Sequence, residues 1–204
     1  MLRAILRTAY CGLLLSPSLL RAQENTTPAP APSLTSEQQI AIAVLPLPVD
    51  MRVGATVLGY GAAGKLTTLR KGTGDMTCLA PNQTAQRFHV ACYHNSLEPF
   101  MARGRALRTS GVTGDGVDSA RFREIRSGKL AMPRTPASLY SLTGDWSTLD
   151  AASLTTEGAR PLFVIYVPFA TPKSTGLSDK PARGTPWLMG AGTPKAHIMF
   201  VPEM

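Results

Sequence analysis

Apolar residues in this chain come in short blocks, and the changes in their spacing mark out the elements. Thr35-Ser36-Glu37-Gln38-Gln39 carries capping-box chemistry just before the apolar residues 40–45, which predicts a short helix stopped by Pro46 and Pro48. Residues 55–60 and 65–70 alternate around Gly61-Ala-Ala-Gly64, the pattern of a β-hairpin. Residues 76–80 and 87–93 read as a second pair of strands about the polar loop 81–86. Asn95-Ser-Leu-Glu-Pro99 opens a helix with a capping side chain, an early acid and a first-turn proline. Leu97, Phe100, Met101 and Leu107 share one of its faces, and Gly111 closes it. A weaker helical pattern spans 118–126, with Phe122 and Ile125 inward. Residues 130–132 and 138–142 suit short strands. The apolar run 162–167, β-branched and aromatic, predicts a buried central strand, and 196–201 a last one. Between these two lies 170–195, dense in proline and glycine and longer than ordinary connections. Helices and strands do not alternate, so the expected class is α+β: a mainly antiparallel sheet with two or three short helices.

The N-terminus changes the picture of where this domain works. Arg3 and Arg7 precede an apolar run ending at Leu20, and Ala22 offers a cleavage position, so residues 1–22 read as a signal peptide. Pro17 and Arg21 interrupt the run, which is too short for a transmembrane anchor. Cys11 has no lipobox before it. Residues 23–34 are a proline-rich tether, and 35–204 form a single globular domain. Cleavage removes three arginines and no acid, taking the net charge from +8 to +5. That surplus keeps a protein in solution; it is not a nucleic-acid footprint. Cys78 and Cys92 then remain as an even pair, and antiparallel pairing about the 81–86 loop sets them opposite each other, which predicts one disulfide.

The chemical signals are thin. Gly59-Tyr-Gly61-Ala-Ala-Gly64 satisfies G-x-G-x-x-G, but a strand pattern follows where a nucleotide loop needs a helix, so it reads as a turn. His89, His94 and His197 form no H-E-x-x-H or second tight pair, so no metal site and no cofactor is expected; a core-edge histidine satisfied by backbone is the plainer reading of each. No G-x-S-x-G or S-x-x-K is present, and bridging leaves no free thiol in the mature chain. Arg103, Arg105 and Arg108, with Arg121, Arg123 and Arg126, form a basic surface that either binds anions or is simply solvated. Trp187-Leu-Met189 is a recognition patch if exposed and a lid if buried, with burial the preferred reading. Asn25 and Asn82 head glycosylation sequons that matter only in a glycosylating host.

Several stretches taken together resemble a group of uncharacterised exported bacterial proteins: Thr77-Cys-Leu-Ala80, Phe88-His-Val-Ala-Cys-Tyr-His94, Leu97-Glu-Pro-Phe-Met-Ala-Arg-Gly-Arg105, Ser127-Gly-Lys-Leu-Ala-Met-Pro133, Leu139-Tyr-Ser-Leu-Thr-Gly144, Gly184-Thr-Pro-Trp-Leu-Met189 and Ala196-His-Ile-Met-Phe200. The resemblance implies a bacterial source and a periplasmic or extracellular address, and no catalytic residues. Two functions stay open. One is a non-catalytic envelope or secreted domain binding a small ligand or an envelope partner. The other is a hydrolase or metal-dependent enzyme using His94 or His197. For the first, the expected ligand site lies where the 170–195 loop folds back near the Asn95 helix start: Trp187 as a stacking wall, His94 and His197 as polar contacts, Arg103 as counter-charge. The plainer alternative is a loop that covers a sheet edge.

Overall fold

Thr35 caps the first helix as its sequence requires. Its hydroxyl accepts the Gln38 N–H, and the Gln38 side chain accepts the Thr35 N–H in return. This computed structural model describes residues 30–61, 64–182 and 184–202; the signal-peptide assignment and the Asn25 sequon lie outside them. The helices are α1 (Ser36–Ala43), α2 (Val49–Arg52), α3 (Glu98–Thr109), α4 (Asp115–Arg126) and α5 (Pro172–Thr175). The strands are β1 (Thr56–Tyr60), β2 (Leu66–Arg70), β3 (Met76–Leu79), β4 (Phe88–His94), β5 (Ala137–Gly144), β6 (Arg160–Tyr166), β7 (Trp187–Met189) and β8 (His197–Phe200). All eight form one sheet in the order β2-β1-β3-β4-β5-β6-β8-β7. Every neighbouring pair is antiparallel except β1 and β3, which run parallel. The chain is α+β.

The G-x-G-x-x-G sequence leads into a strand and not a helix: Gly59 and Tyr60 lie in β1, Gly61 N–H bonds the Lys65 carbonyl, and β2 begins at Leu66. Gly59 is needed for another reason. A Cβ there would lie 2.3 Å from Leu69 and 2.7 Å from the Gln39 amide oxygen. That buried amide holds α1 onto β1 by accepting the Tyr60 N–H at 2.8 Å and donating to the Tyr60 carbonyl at 3.1 Å. On the β3–β4 hairpin, Cys78 stands opposite Cys92, their Cα atoms 3.9 Å apart, and the two are disulfide-bonded.

Alternation along β4 divides the core in two. Phe88, Val90 and Cys92 point to the α1 side, where α1, β1, β3 and β4 bury Ile42, Ala43, Val57 and Met76, and Trp146 packs edge-on to Phe88. Tyr93 points to the other side, where α3 and α4 cover β4, β5 and β6 with Leu97, Phe100, Val164 and Tyr166. Each large apolar side chain fully buried this way stabilises the fold by about 1.5–3 kcal/mol. The helices therefore cover different halves of the sheet on opposite faces. On the α1 side, the part of the sheet beyond β4 carries two cross-strand rows with no helix over them. One is Tyr140–Phe163–Phe200; the other is Ser138–Ile165–Ile198. Phe163, Ile165 and Phe200 are 36–44% exposed.

Three expectations change. The 162–167 segment is a strand, but buried on one face only, because α3 and α4 cover a single side of β6. Residues 130–132 form no strand; they belong to an irregular connection between α4 and β5. The 170–195 segment holds α5 and the edge strand β7, and the Leu188 N–H bonds the Ser178 carbonyl across that edge. Packing also begins ahead of Thr35, since Leu34 is buried and its N–H bonds the Gln83 side chain at 2.8 Å.

Candidate ligand-binding site

The four residues expected to share a site are distributed over two faces. His94 ends β4 opposite Met76, on the α1 side of the sheet. Its Nδ1 accepts the Ser96 N–H at 3.2 Å and lies 2.7 Å from the Ser96 hydroxyl, so the ring caps the 3-10 turn Asn95–Leu97 that leads into α3. Asn95 is occupied too: it accepts from the Thr77 hydroxyl and donates to the Gly74 carbonyl. Arg103 grips Glu124 with three hydrogen bonds of 2.6–3.0 Å, joining α3 to α4. Its charge is spent on that pair.

His197 and Trp187 lie on the α3–α4 face. Register sets Tyr166 beside His197 and Met199 beside Trp187, and Tyr166 and Met199 both pack in that core. From β4 to β8 is three strand spacings, roughly 14 Å, so His94 and His197 are separated by that distance as well as by the sheet. They have no common cleft, whether for a ligand or for the hydrolase or metal chemistry. Among the described residues no group of three His, Cys, Asp or Glu side chains is placed to hold a metal ion.

Around His197 the contacts are structural. The buried ring donates from Nδ1 to the Lys195 carbonyl at 2.7 Å and lies 5.3 Å from the Tyr166 ring. Lys195 and Arg121 both donate to Asp118. Burial alone would raise the Asp118 carboxyl; the two cations outweigh it and hold the group below its ordinary range. Arg121 is buried with its guanidinium carbon 3.7 Å from the centre of the Phe100 ring. Its Nε and the Trp187 Nε1 are both buried with no hydrogen-bond partner among the described residues. Gly104 makes room for this arginine: a Cβ there would lie 2.8 Å from its Nη1. On the neighbouring part of α3, Arg105 donates to the Tyr93 hydroxyl and to Glu98, and Tyr93 also donates to Glu98. Burial, reinforced by the Glu98 hydrogen bond, pushes the Tyr93 phenol far up. Three of the six arginines that read as one basic surface, Arg103, Arg105 and Arg121, are thus paired inside the domain.

A concave site opens where the sequence offered none, at the end of the sheet where β5 begins and β6 finishes. A groove of about 790 Å³ runs between the α4–β5 connection and the turn after β6. One wall is Ile125, Leu130, Met132 and Pro133; Val167, Pro168 and Phe169 form the other. Arg134, Thr135 and Ser174 supply its polar side chains. Phe169 has φ +64°, a left-handed conformation rare for a bulky residue, and is 53% exposed. Backbone bonds enforce it: Phe169 N–H to Thr193 O, Ala170 N–H to Val167 O, and Gly192 N–H to Ala170 O, all 2.7–3.0 Å. The base of the long loop is therefore what holds this aromatic ring over the groove. The signal in the sequence was the run Met132-Pro-Arg-Thr-Pro136 facing Pro168-Phe169, but nothing local says that β5 and β6 bring the two together.

No protein-family model matches this chain, and neither a curated protein nor a solved structure is similar to it. Among the described residues no helix is long and apolar enough to cross a membrane.

Proposed function

We propose that this chain is an exported, non-catalytic domain that binds a small ligand in the groove between the α4–β5 connection and the turn after β6. Phe169 carries the reading: a bulky aromatic kept in a costly backbone conformation, half exposed, beside a groove of small-molecule size. Export is supported by the charged and apolar pattern of residues 1–22 and by the disulfide, which belongs to oxidising compartments.

Nile red, a neutral dye that brightens in apolar surroundings, tests the site when titrated into the oxidised protein. Saturable binding is expected, lost in Ala131→Trp, which fills the groove from an exposed position, and in Phe169→Gly. Phe163→Thr, on the uncovered sheet face, should leave it intact. Binding that disappears with Phe163 and ignores both groove variants would mean that the groove is not the site.

A further inference from the structure

We infer that the groove takes an apolar monoanion: one acidic group on a hydrocarbon or aromatic body. This rests on the ligand-binding reading and adds the sign and shape of the ligand.

The sign follows from the charges around the groove. Arg134 is the one ionisable side chain among its lining residues. The two segments that bound it, 123–136 and 167–174, also carry Arg123, Arg126, Lys129 and Lys173. Against these five cations stands one acid, Glu124, which Arg103 already neutralises. Cations of one sign around low-dielectric walls focus a positive potential into the cleft.

The shape follows from the hydrogen bonding. An inorganic anion needs several converging donors, and at the start of the α4–β5 connection and along the turn after β6 the backbone donors are taken. Lys129 and Leu130 N–H both bond the Glu124 carbonyl, Phe169 N–H bonds Thr193, and Ala170 N–H bonds Val167. Most of the lining is apolar, so affinity comes chiefly from contact with Met132, Pro133, Val167 and the Phe169 ring, while Arg134 selects the charge. An acyl carboxylate and an aromatic carboxylate both meet that description.

Displacement of Nile red from the oxidised protein at low ionic strength tests it, with detergent-like probes kept below their micelle concentrations. Dodecanoate should displace the dye where dodecyltrimethylammonium at equal concentration does not, and inorganic phosphate should have no effect. Arg134→Gln should weaken dodecanoate about twofold to fivefold, the scale of one exposed ion pair, and leave Nile red unchanged. Added salt should weaken dodecanoate in the same direction. 4-Biphenylcarboxylate separates the two sources: stronger displacement than by dodecanoate assigns an aromatic acid, the reverse an acyl one, and either agrees with an apolar monoanion. Equal displacement by the cationic and anionic detergents, no change in Arg134→Gln, or competition by phosphate would overturn the inference while leaving a groove that binds apolar ligands. Nile red binding that ignores Ala131→Trp and Phe169→Gly removes the ligand-binding reading, and this inference with it.

Discussion

Burial decides what His197 does. Desolvation lowers its imidazole pKa; the hydrogen bond to the Lys195 carbonyl works against this and the Lys195 charge with it, and the net direction is down. With the folded value depressed, the neutral ring contributes stability above the unfolded pKa of about 6.5, and that contribution is lost as the pH falls through the folded value. Unfolding free energy should therefore decline between about pH 7 and about pH 5, and His197→Phe should reduce the slope while keeping the contact with Tyr166. Urea titrations across that range measure it; an unchanged slope in H197F would assign the proton uptake to another group. The sequence offered this histidine as a ligand or as a core-edge residue, and its environment supports the second. Arg103 was legible as a helix cation, whereas its partner Glu124 lies twenty-one residues away and becomes visible only once α3 and α4 pack.

At the scale of elements, the β3–β4 hairpin was the most readable part of the chain. Two β-rich segments flank a polar loop, and antiparallel pairing about it puts Cys78 opposite Cys92 by counting alone. The bridge closes a span of 14 residues, which the chain-entropy model values at about 3 kcal/mol. Cys78→Ala should lower the unfolding free energy by roughly 2–5 kcal/mol, measured by denaturant titration of the oxidised protein. A loss well below that range would mean that residual structure already restricts the unfolded chain. The edge strand β7 was not readable. Its three residues sit among prolines and glycines, and β8 makes a strand of them by supplying hydrogen-bond partners. The apolar residues 130–132 mislead in the opposite direction: with no neighbouring strand to pair with, they line a groove instead.

Over the whole molecule, helices on opposite faces leave each half of the sheet covered once, and one uncovered half is apolar through Phe163, Ile165 and Phe200. Only β5, β6 and β8 side by side, not any one run of residues, create that surface. The remaining expectation at this scale concerns processing. If the chain is exported as proposed, the mature protein begins near Gln23, because the charged and apolar segment ends at Ala22. Intact mass or N-terminal sequencing of material recovered outside the cytoplasm checks this; a species retaining residues 1–22 would count against export.

Local chemistry was enough for the capped α1, both early hairpins, the disulfide and the α+β class, and it placed the start of α3 while naming the wrong cap: His94, not Asn95, caps the 3-10 turn that leads into it. The parallel pairing of β1 with β3, the separation of His94 from His197 and the neutralisation of Arg103 depend on contacts between distant segments, and tertiary structure alone decided them. The groove is the clearest case. Its two walls lie more than thirty residues apart in the chain, and β5 and β6 juxtapose them. Phe169 overhangs it because Thr193, at the far end of the long loop, accepts the hydrogen bond that holds its backbone left-handed. Side-chain types along a chain specify which segments pair locally, but a site assembled at the end of a sheet belongs to the order and register of the strands.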